Sequence, residues 1–99
     1  MMSKTEKHIE YWSYGQKRNE GTLKDGEQDG KWTLWYKNGE KQGEENYKDG
    51  KADGLVTWWH ENGQKKLEWT FKDGEEISLE CWDEDGNECE CSEWGPGCD

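Results

Sequence analysis

Glycine punctuates this chain every ten to twelve residues, and apolar and polar residues alternate between the glycines. Alternation with period two marks a half-buried strand, and no segment sustains the i, i+3, i+4 apolar spacing of a helix. The pattern predicts eight short strands, at residues 7–12, 17–23, 31–36, 41–47, 54–60, 65–71, 76–82 and 87–91. Two families of turns separate them. Ser13-Tyr14-Gly15, Lys37-Asn38-Gly39, Glu61-Asn62-Gly63 and Glu84-Asp85-Gly86 form the first. Lys24-Asp25-Gly26, Lys48-Asp49-Gly50 and Lys72-Asp73-Gly74 form the second. Asn-Gly and Asp-Gly between alternating segments are strong hairpin signals, because the central residues must adopt positive φ. Gly39, Gly63 and Gly86 stand 24 and 23 residues apart, which predicts an all-β chain of tandem hairpins in an elongated antiparallel sheet. A further glycine, Gly30 or Gly54, follows the second turn in two of the copies.

The repeat places aromatic residues at fixed positions. Tyr11, Trp35, Trp59 and Trp82 each stand four residues before a glycine of the first family, and Leu23, Tyr47 and Phe71 stand eight residues after one. Stacked units bury together what one unit cannot bury alone. Strand alternation puts Leu55, Thr57 and Trp59 on one face and Val56, Trp58 and His60 on the other. The same rule separates Lys31, Thr33 and Trp35 from Trp32, Leu34 and Tyr36. Both faces therefore carry rings, and one sheet buries both only if it curls, packs on a terminus or meets a partner. Rings left outside either lie flat under Lys and Glu stems or form a binding surface. Trp35, Tyr36, Trp58, Trp59 and His60 are the candidate binding residues.

Composition narrows the class. With 99 residues the chain makes one domain, 28% hydrophobic and 37% charged, and eight Trp, four Tyr and one Phe carry most of its buriable area. The net charge is −11, and residues 51–99 hold four Lys/Arg against fourteen Asp/Glu. Clustered phosphate-binding bases are missing, so nucleic acid is not an expected partner, and an anionic membrane is repelled by the C-terminal half. A protein with a basic surface is compatible. No apolar run is long enough to span a membrane, and residues 1–11 lack the apolar core of a signal peptide, which makes the cytoplasm the default expectation.

The four cysteines, Cys81, Cys89, Cys91 and Cys98, fall in a tail that breaks the repeat, so residues 87–99 read as a C-terminal cap. Two disulfides, with three possible pairings, suit an exported protein, periplasmic or secreted. A zinc site on the same four residues is the weaker alternative, because Cys-x-Cys lacks the usual ligand spacing, and free thiols are the third. Hairpin register bears on the choice. A two-residue turn at Asp85-Gly86 pairs Trp82 with Cys89, whereas a three-residue turn with a bulge pairs Cys81 with Cys89. In the third repeat the two-residue register sets Trp58 opposite Leu67 and Val56 opposite Trp69, an apolar pairing that favours it. Cys81–Cys89 pairing then needs the last hairpin to differ from the others. Asp83 to Glu88 lacks the spacing of a calcium loop and reads as a turn. His8 and His60 are isolated, no nucleophile has a recognisable partner, and no phosphate loop or cofactor motif is present, so the chain does not read as an enzyme.

The segment Lys48-Asp49-Gly50-Lys51-Ala52-Asp53-Gly54-Leu55-Val56-Thr57-Trp58-Trp59-His60-Glu61-Asn62-Gly63 resembles the variant MORN repeat. Asp25–Asp49 and Asp49–Asp73 give two copies, and with flanking partial copies the resemblance covers about residues 7–88. Gly39 and Gly50 are one residue farther apart than the turn glycines of the standard repeat, which points to the variant class found in antitoxin-like bacterial proteins. The resemblance implies an extended sheet of hairpins without common catalytic residues. It is consistent with a non-enzymatic protein-binding module, antitoxin- or immunity-like, without cofactor and monomeric or weakly self-associating. The alternative is a structural repeat that self-associates through its edges or contacts lipid.

Overall fold

The computed structural model describes residues 4–92, 97 and 98. Among the described residues nine strands form, β1 Thr5–Tyr11, β2 Lys17–Lys24, β3 Glu27–Trp35, β4 Lys41–Lys48, β5 Lys51–Ala52, β6 Gly54–Trp59, β7 Lys65–Lys72, β8 Glu75–Trp82 and β9 Glu88–Cys89. They make one open antiparallel sheet in the order β1-β2-β3-β4-β6-β7-β8-β9, with β5 paired to β4. Its extents of 48 × 36 × 18 Å are those of a single elongated layer. The all-β sheet of tandem hairpins expected from the glycine spacing is thus the observed architecture.

The two turn families have different geometry. In the Asp-Gly turns both central residues have positive φ, +50° and +84° at Asp25 and Gly26, and Lys24 pairs directly with Glu27. This is a two-residue type I′ turn, whose twist matches that of the flanking strands. Each such turn also docks on the preceding unit: Gly50 N donates to Gln28 O (3.0 Å) and Gly74 N to Ala52 O (2.9 Å). In the Asn-Gly family the loop has three residues. Tyr36 N donates to Glu40 O (2.8 Å), Gly39 N donates to Tyr36 O (3.0 Å), and Gly39 takes φ +87°. Asn38 Oδ1 accepts from Glu40 N (2.9 Å), which holds the loop shut.

That loop corrects the two-residue turn expected at Asn62-Gly63, yet the apolar pairing expected with it survives. Trp59 pairs with Lys65, the register shifts by one residue, and Trp58 then lies opposite Leu67 and Val56 opposite Trp69. The extra loop residue is cancelled by a bulge one position into the strand. The last hairpin has no compensating shift, so Trp82 pairs with Glu88 and Cys81 with Cys89. It does differ from the others.

Two strand boundaries are also corrected. The strand expected at 54–60 is preceded by β5, because Asp53 N turns to Asn46 O (2.9 Å) and Gly54 adopts φ +95° in a bulge. The strand expected at 87–91 is only Glu88–Cys89 long. The third copy lacks a glycine equivalent to Gly54, and its register skips one residue, Ile77, between Ser78 and Glu76. This missing residue is why Gly63 and Gly86 are 23 rather than 24 apart. Residues 93–96 and 99 of the expected cap lie outside the described residues.

Pairing aligns two rows on one face, the core face. Glu10, Asn19, Leu34, Gly43, Trp58, Leu67, Cys81 and Cys89 form the first row. His8, Gly21, Trp32, Glu45, Val56, Trp69 and Leu79 form the second. Each row sets a glycine, Gly21 or Gly43, beside an indole. A Cβ at Gly21 would fall inside the Trp32 ring, and one at Gly43 would stand 2.8 Å from Trp58 Cδ1. Glycine there lets an indole lie flat on the neighbouring backbone, which is how a one-layer sheet buries Trp32 to 6% exposure. An indole buried in this way removes roughly 150–250 Å² from water.

Candidate binding surfaces

The edge of the sheet carrying the Asn-Gly turns is laced by side chains. Trp12 Nε1 donates to Trp35 O (3.2 Å), Tyr36 Oη to Trp59 O (2.6 Å) and His60 Nε2 to Trp82 O (2.9 Å). A carbonyl oxygen only accepts, so the His60 ring carries its proton on Nε2 in this contact. A second, outer series links turn to turn: Tyr14 Oη to Lys37 O, Asn38 Nδ2 to Glu61 O (3.4 Å) and Asn62 Nδ2 to Glu84 O (2.8 Å). Each donor reaches a unit 22 or 23 residues on. Burial, and then the Glu61 carboxylate, pushes the Tyr36 phenol above its ordinary value, so the donor stays protonated.

Above these rings runs a groove. One part, of about 600 Å³, is lined by Tyr36, Gln42, His60, Glu61, Asn62, Lys66 and Glu84. A second part, of about 430 Å³, adds Trp12, Lys37 and Asn38 and shares Tyr36, Gln42 and Glu61. Gln42 and Lys66 are the residues extruded by the compensating bulges. The Arg18 guanidinium, at the same place in the first hairpin, lies 4.9 Å from the Trp12 ring centroid.

On the core face Trp58 packs edge-on to Trp69 (5.8 Å, 76°), and Trp69 edge-on to Phe71 (5.7 Å, 61°). Glu45 takes a place in the row that Trp69 takes one unit later. Its carboxylate accepts from Tyr47 Oη (2.7 Å) and Trp58 Nε1 (2.9 Å). Burial first, and then Glu45, pushes the Tyr47 phenol well above its ordinary value.

The opposite face carries a ladder of rings and charges. The ammonium groups of Lys17, Lys41 and Lys65 stand 6.0, 5.5 and 5.3 Å from the Trp35, Trp59 and Trp82 ring centroids. The same lysines bind Glu20, Glu44 and Glu68 at 2.7, 2.6 and 2.6 Å. Lys31 adds a second bond to Glu44, and the two lysines, Lys31 first, hold its carboxyl below the ordinary range.

The structure therefore divides the five residues singled out from the sequence. Trp35 and Trp59 lie on the ladder face, Trp58 on the core face opposite Gly43, and Tyr36 and His60 on the turn edge. Trp12 and Trp82 join these surfaces without having been counted among the binding residues. Their signal was present, since they occupy the repeat positions of Tyr36 and Trp35.

Of the alternatives for the four cysteines, the structure has the disulfides: Cys81 is bonded to Cys91 and Cys89 to Cys98, with Cα separations of 5.4 and 5.7 Å. Cys81 faces Cys89 across the pair but bonds diagonally to Cys91. Ser92 N donates to Gly97 O (2.8 Å), and a Cβ at Gly97 would stand 2.9 Å from Lys66 Cε, so Gly97 lies against a side chain of β7. Asp83 is a turn residue: its carboxylate accepts from Asn87 N (2.9 Å) and Asp85 N (3.0 Å), bonds that hold it below the ordinary range. No helix among the described residues is long and apolar enough to cross a membrane.

No curated protein and no solved structure matches the chain. The MORN repeat variant matches at residues 28–49 and 52–73. These segments correspond to the hairpins of β3–β4 and β5–β7, where turn, bulge and pairing recur most faithfully. The two matches support a MORN-variant repeat protein.

Proposed function

We propose that this chain is a non-enzymatic protein-binding module whose partner docks along the turn edge, over Tyr36 and His60. The groove carries the reading: it runs across successive repeats, has a ring floor, and is rimmed by Glu61 and Glu84. Glu61 and Glu84 stand there with Lys37 and Lys66, so the rim carries both signs, and its two carboxylates are where basic residues of a partner would pair, since complementary charge fixes register. Trp58 lies on the core face and does not line the groove, while Trp35 and Trp59 supply the backbone carbonyls on which Trp12 and Tyr36 rest. The finer form of the reading is an antitoxin- or immunity-like role, in which the repeat scaffold presents this edge to one cognate protein. Two disulfides favour an oxidising compartment, periplasmic or secreted, over the cytoplasm expected from the N-terminal residues.

Affinity capture from native lysate tests this with matched baits, the oxidised chain and its Glu61→Lys, Glu84→Lys variant. The expected result is a basic protein retained by the first and lost by the second. Equal retention by both baits, or none by either, defeats the proposal. A second reading, self-association through the sheet edge, draws on β1, whose outer side pairs with no described strand. Its charged residues, Glu6, Lys7 and Glu10, oppose edge-to-edge pairing. Sedimentation at rising concentration separates the two readings, since a strict monomer removes self-assembly. Flotation with vesicles tests the lipid form of the alternative.

A further inference from the structure

The described tryptophans divide by what their indole N–H groups do. Trp12, Trp32, Trp58 and Trp69 each donate to an acceptor: Trp35 O, Thr22 O, Glu45 Oε2 and Glu76 Oε1. Trp35, Trp59 and Trp82 make no such bond to any described residue, and all three rings are half-buried. These three belong to the ladder face, on the side of the sheet away from the core rows.

Their arrangement is periodic. Trp35 is paired with Lys41, Lys41 reaches the ring of Trp59, Trp59 is paired with Lys65, and Lys65 reaches the ring of Trp82. Rings and ammonium groups alternate along one line across β3, β4, β6, β7 and β8. Successive rings are two strands apart, a spacing of roughly 9–10 Å. Beside this line runs a second one, Glu20, Thr33, Glu44, Thr57, Glu68, whose carboxylates bind the lysines. Each ring thus has an indole donor that no described residue engages, an ammonium group over it and a carboxylate beside it, and every carboxylate of the line is held by one or two lysines.

The chemistry of such a line excludes most polymers. A polyanion finds each ammonium already held by a carboxylate, on a chain of net charge −11. A bilayer finds ring surface bordered by ion pairs whose desolvation is unfavourable. An uncharged polysaccharide meets neither obstacle. Its pyranose C–H faces stack on indole rings, and its hydroxyl groups both donate and accept. In an extended β-1,4-linked chain alternate sugars turn the same face outward, so one disaccharide spans about the distance between rings. We propose that the ladder face binds an extended, uncharged β-1,4-linked polysaccharide, one disaccharide per repeat, along Trp35, Trp59 and Trp82. This surface is separate from the turn-edge groove, and the disulfides suit the extracytoplasmic setting in which such polymers occur.

Titration of the oxidised full chain with cellohexaose and with N-acetylchitohexaose, read by calorimetry, tests the proposal and separates the two sugar sources. One hexamer is expected to bind at least about tenfold tighter than its own disaccharide, because three stations act together. Trp59→Ala is expected to lower that affinity about tenfold or more, since the middle station then breaks the run. Trp59→Phe, which keeps a ring and so the packing, is expected to lose several-fold in affinity with the indole donor. Ile77→Ser, a change at an exposed bulge, is expected to bind as the parent does. Failure of both hexamers to bind, equal affinity for hexamer and disaccharide, or unchanged binding by Trp59→Phe overturns the proposal. Retention on heparin or anionic vesicles with no glycan binding also overturns it and reassigns the lysine row to anions.

Discussion

The two ends of this sheet are built from one repeat and held together differently. At the β7–β9 end Leu67 and Cys81 are 0% and 1% exposed, and two disulfides join Cys81 to Cys91 and Cys89 to Cys98. At the β1–β3 end no disulfide exists, and the fold relies on Trp32 lying on Gly21 and on Glu20 clasped by Lys7 and Lys17. Electrostatics runs the other way. Glu44 has two lysines, but Glu68 has one, because the position of Lys31 is Leu55 in the next unit. Glu68 instead lies opposite Glu80, a like-charge pair that opposes pairing of β7 with β8. Covalent links therefore stand at the end where the ion-pair ladder has run out. In a repeat array, where stability is nearly a sum of local terms, such an exchange keeps the terminal unit folded.

The sharpest way to break this contrast is to reduce the disulfides. Loss of a native disulfide from a small domain costs about 2–5 kcal/mol. Reduction, or the Cys81→Ser, Cys91→Ser variant, is expected to lower the melting temperature by roughly 10 °C or more, at 4–8 °C per kcal/mol. Circular dichroism gives the melting curve and hydrogen exchange its location. Amides of β7 to β9 should lose protection before those of β2 and β3, and uniform loss would mean the ends are not independent.

Next in size is an assault on the opposite end. Gly21→Ala drives a methyl into the Trp32 ring, and overpacking of this kind costs about 1–3 kcal/mol. Urea unfolding should register the loss and Trp emission should shift to the red as Trp32 leaves its place. Gly43→Ala, with its Cβ 2.8 Å from an indole edge, should cost less. If Gly21→Ala is neutral, the flat stacking of Trp32 is not what holds the N-terminal units.

The smallest expected effect concerns the ladder. The Glu44 carboxyl is lowered in the folded chain from the ordinary 4.5, so its stabilising effect is present above that pH and is lost as pH falls through the lowered value. Glu44→Gln should reduce stability at pH 7 by under about 1 kcal/mol, since ion pairs at a surface are weak. The variant should also lose less stability than the parent as pH falls below 4.5. Glu68→Gln should match or exceed the parent at pH 7, because it relieves the opposition to Glu80. Equal losses at both positions would mean that the second lysine on Glu44 contributes nothing.

Much of the scaffold was legible from local chemistry. Asp25, Asp49 and Asp73 sit before glycines, and all three adopt the positive φ that a type I′ turn requires. The opposition of Trp58 to Leu67 and Val56 to Trp69 followed from matching apolar residues across a hairpin. The bulges did not, because a three-residue turn and a compensating slip leave the same pairs aligned as a two-residue turn. The candidate surface was less legible. Trp35, Trp58 and Trp59 look alike in a list of aromatics, but one strand residue separates opposite faces. His60 looked like an isolated imidazole, and its partner, Trp82 O, is 22 residues away.

The chain's own order of residues settles where it turns and that its units repeat, because φ preferences at Asp-Gly and Asn-Gly act within a few bonds. It also settles that the rings recur at intervals of a hairpin. Which indoles are buried, which donate their N–H to a described residue, and that Cys81 joins Cys91 and not its facing neighbour Cys89 depend on strands folded beside one another. Those outcomes follow from cross-strand neighbours and from bulges that cancel or fail to cancel. A one-residue slip moves a side chain to the other face, and no local rule along the chain counts the slips.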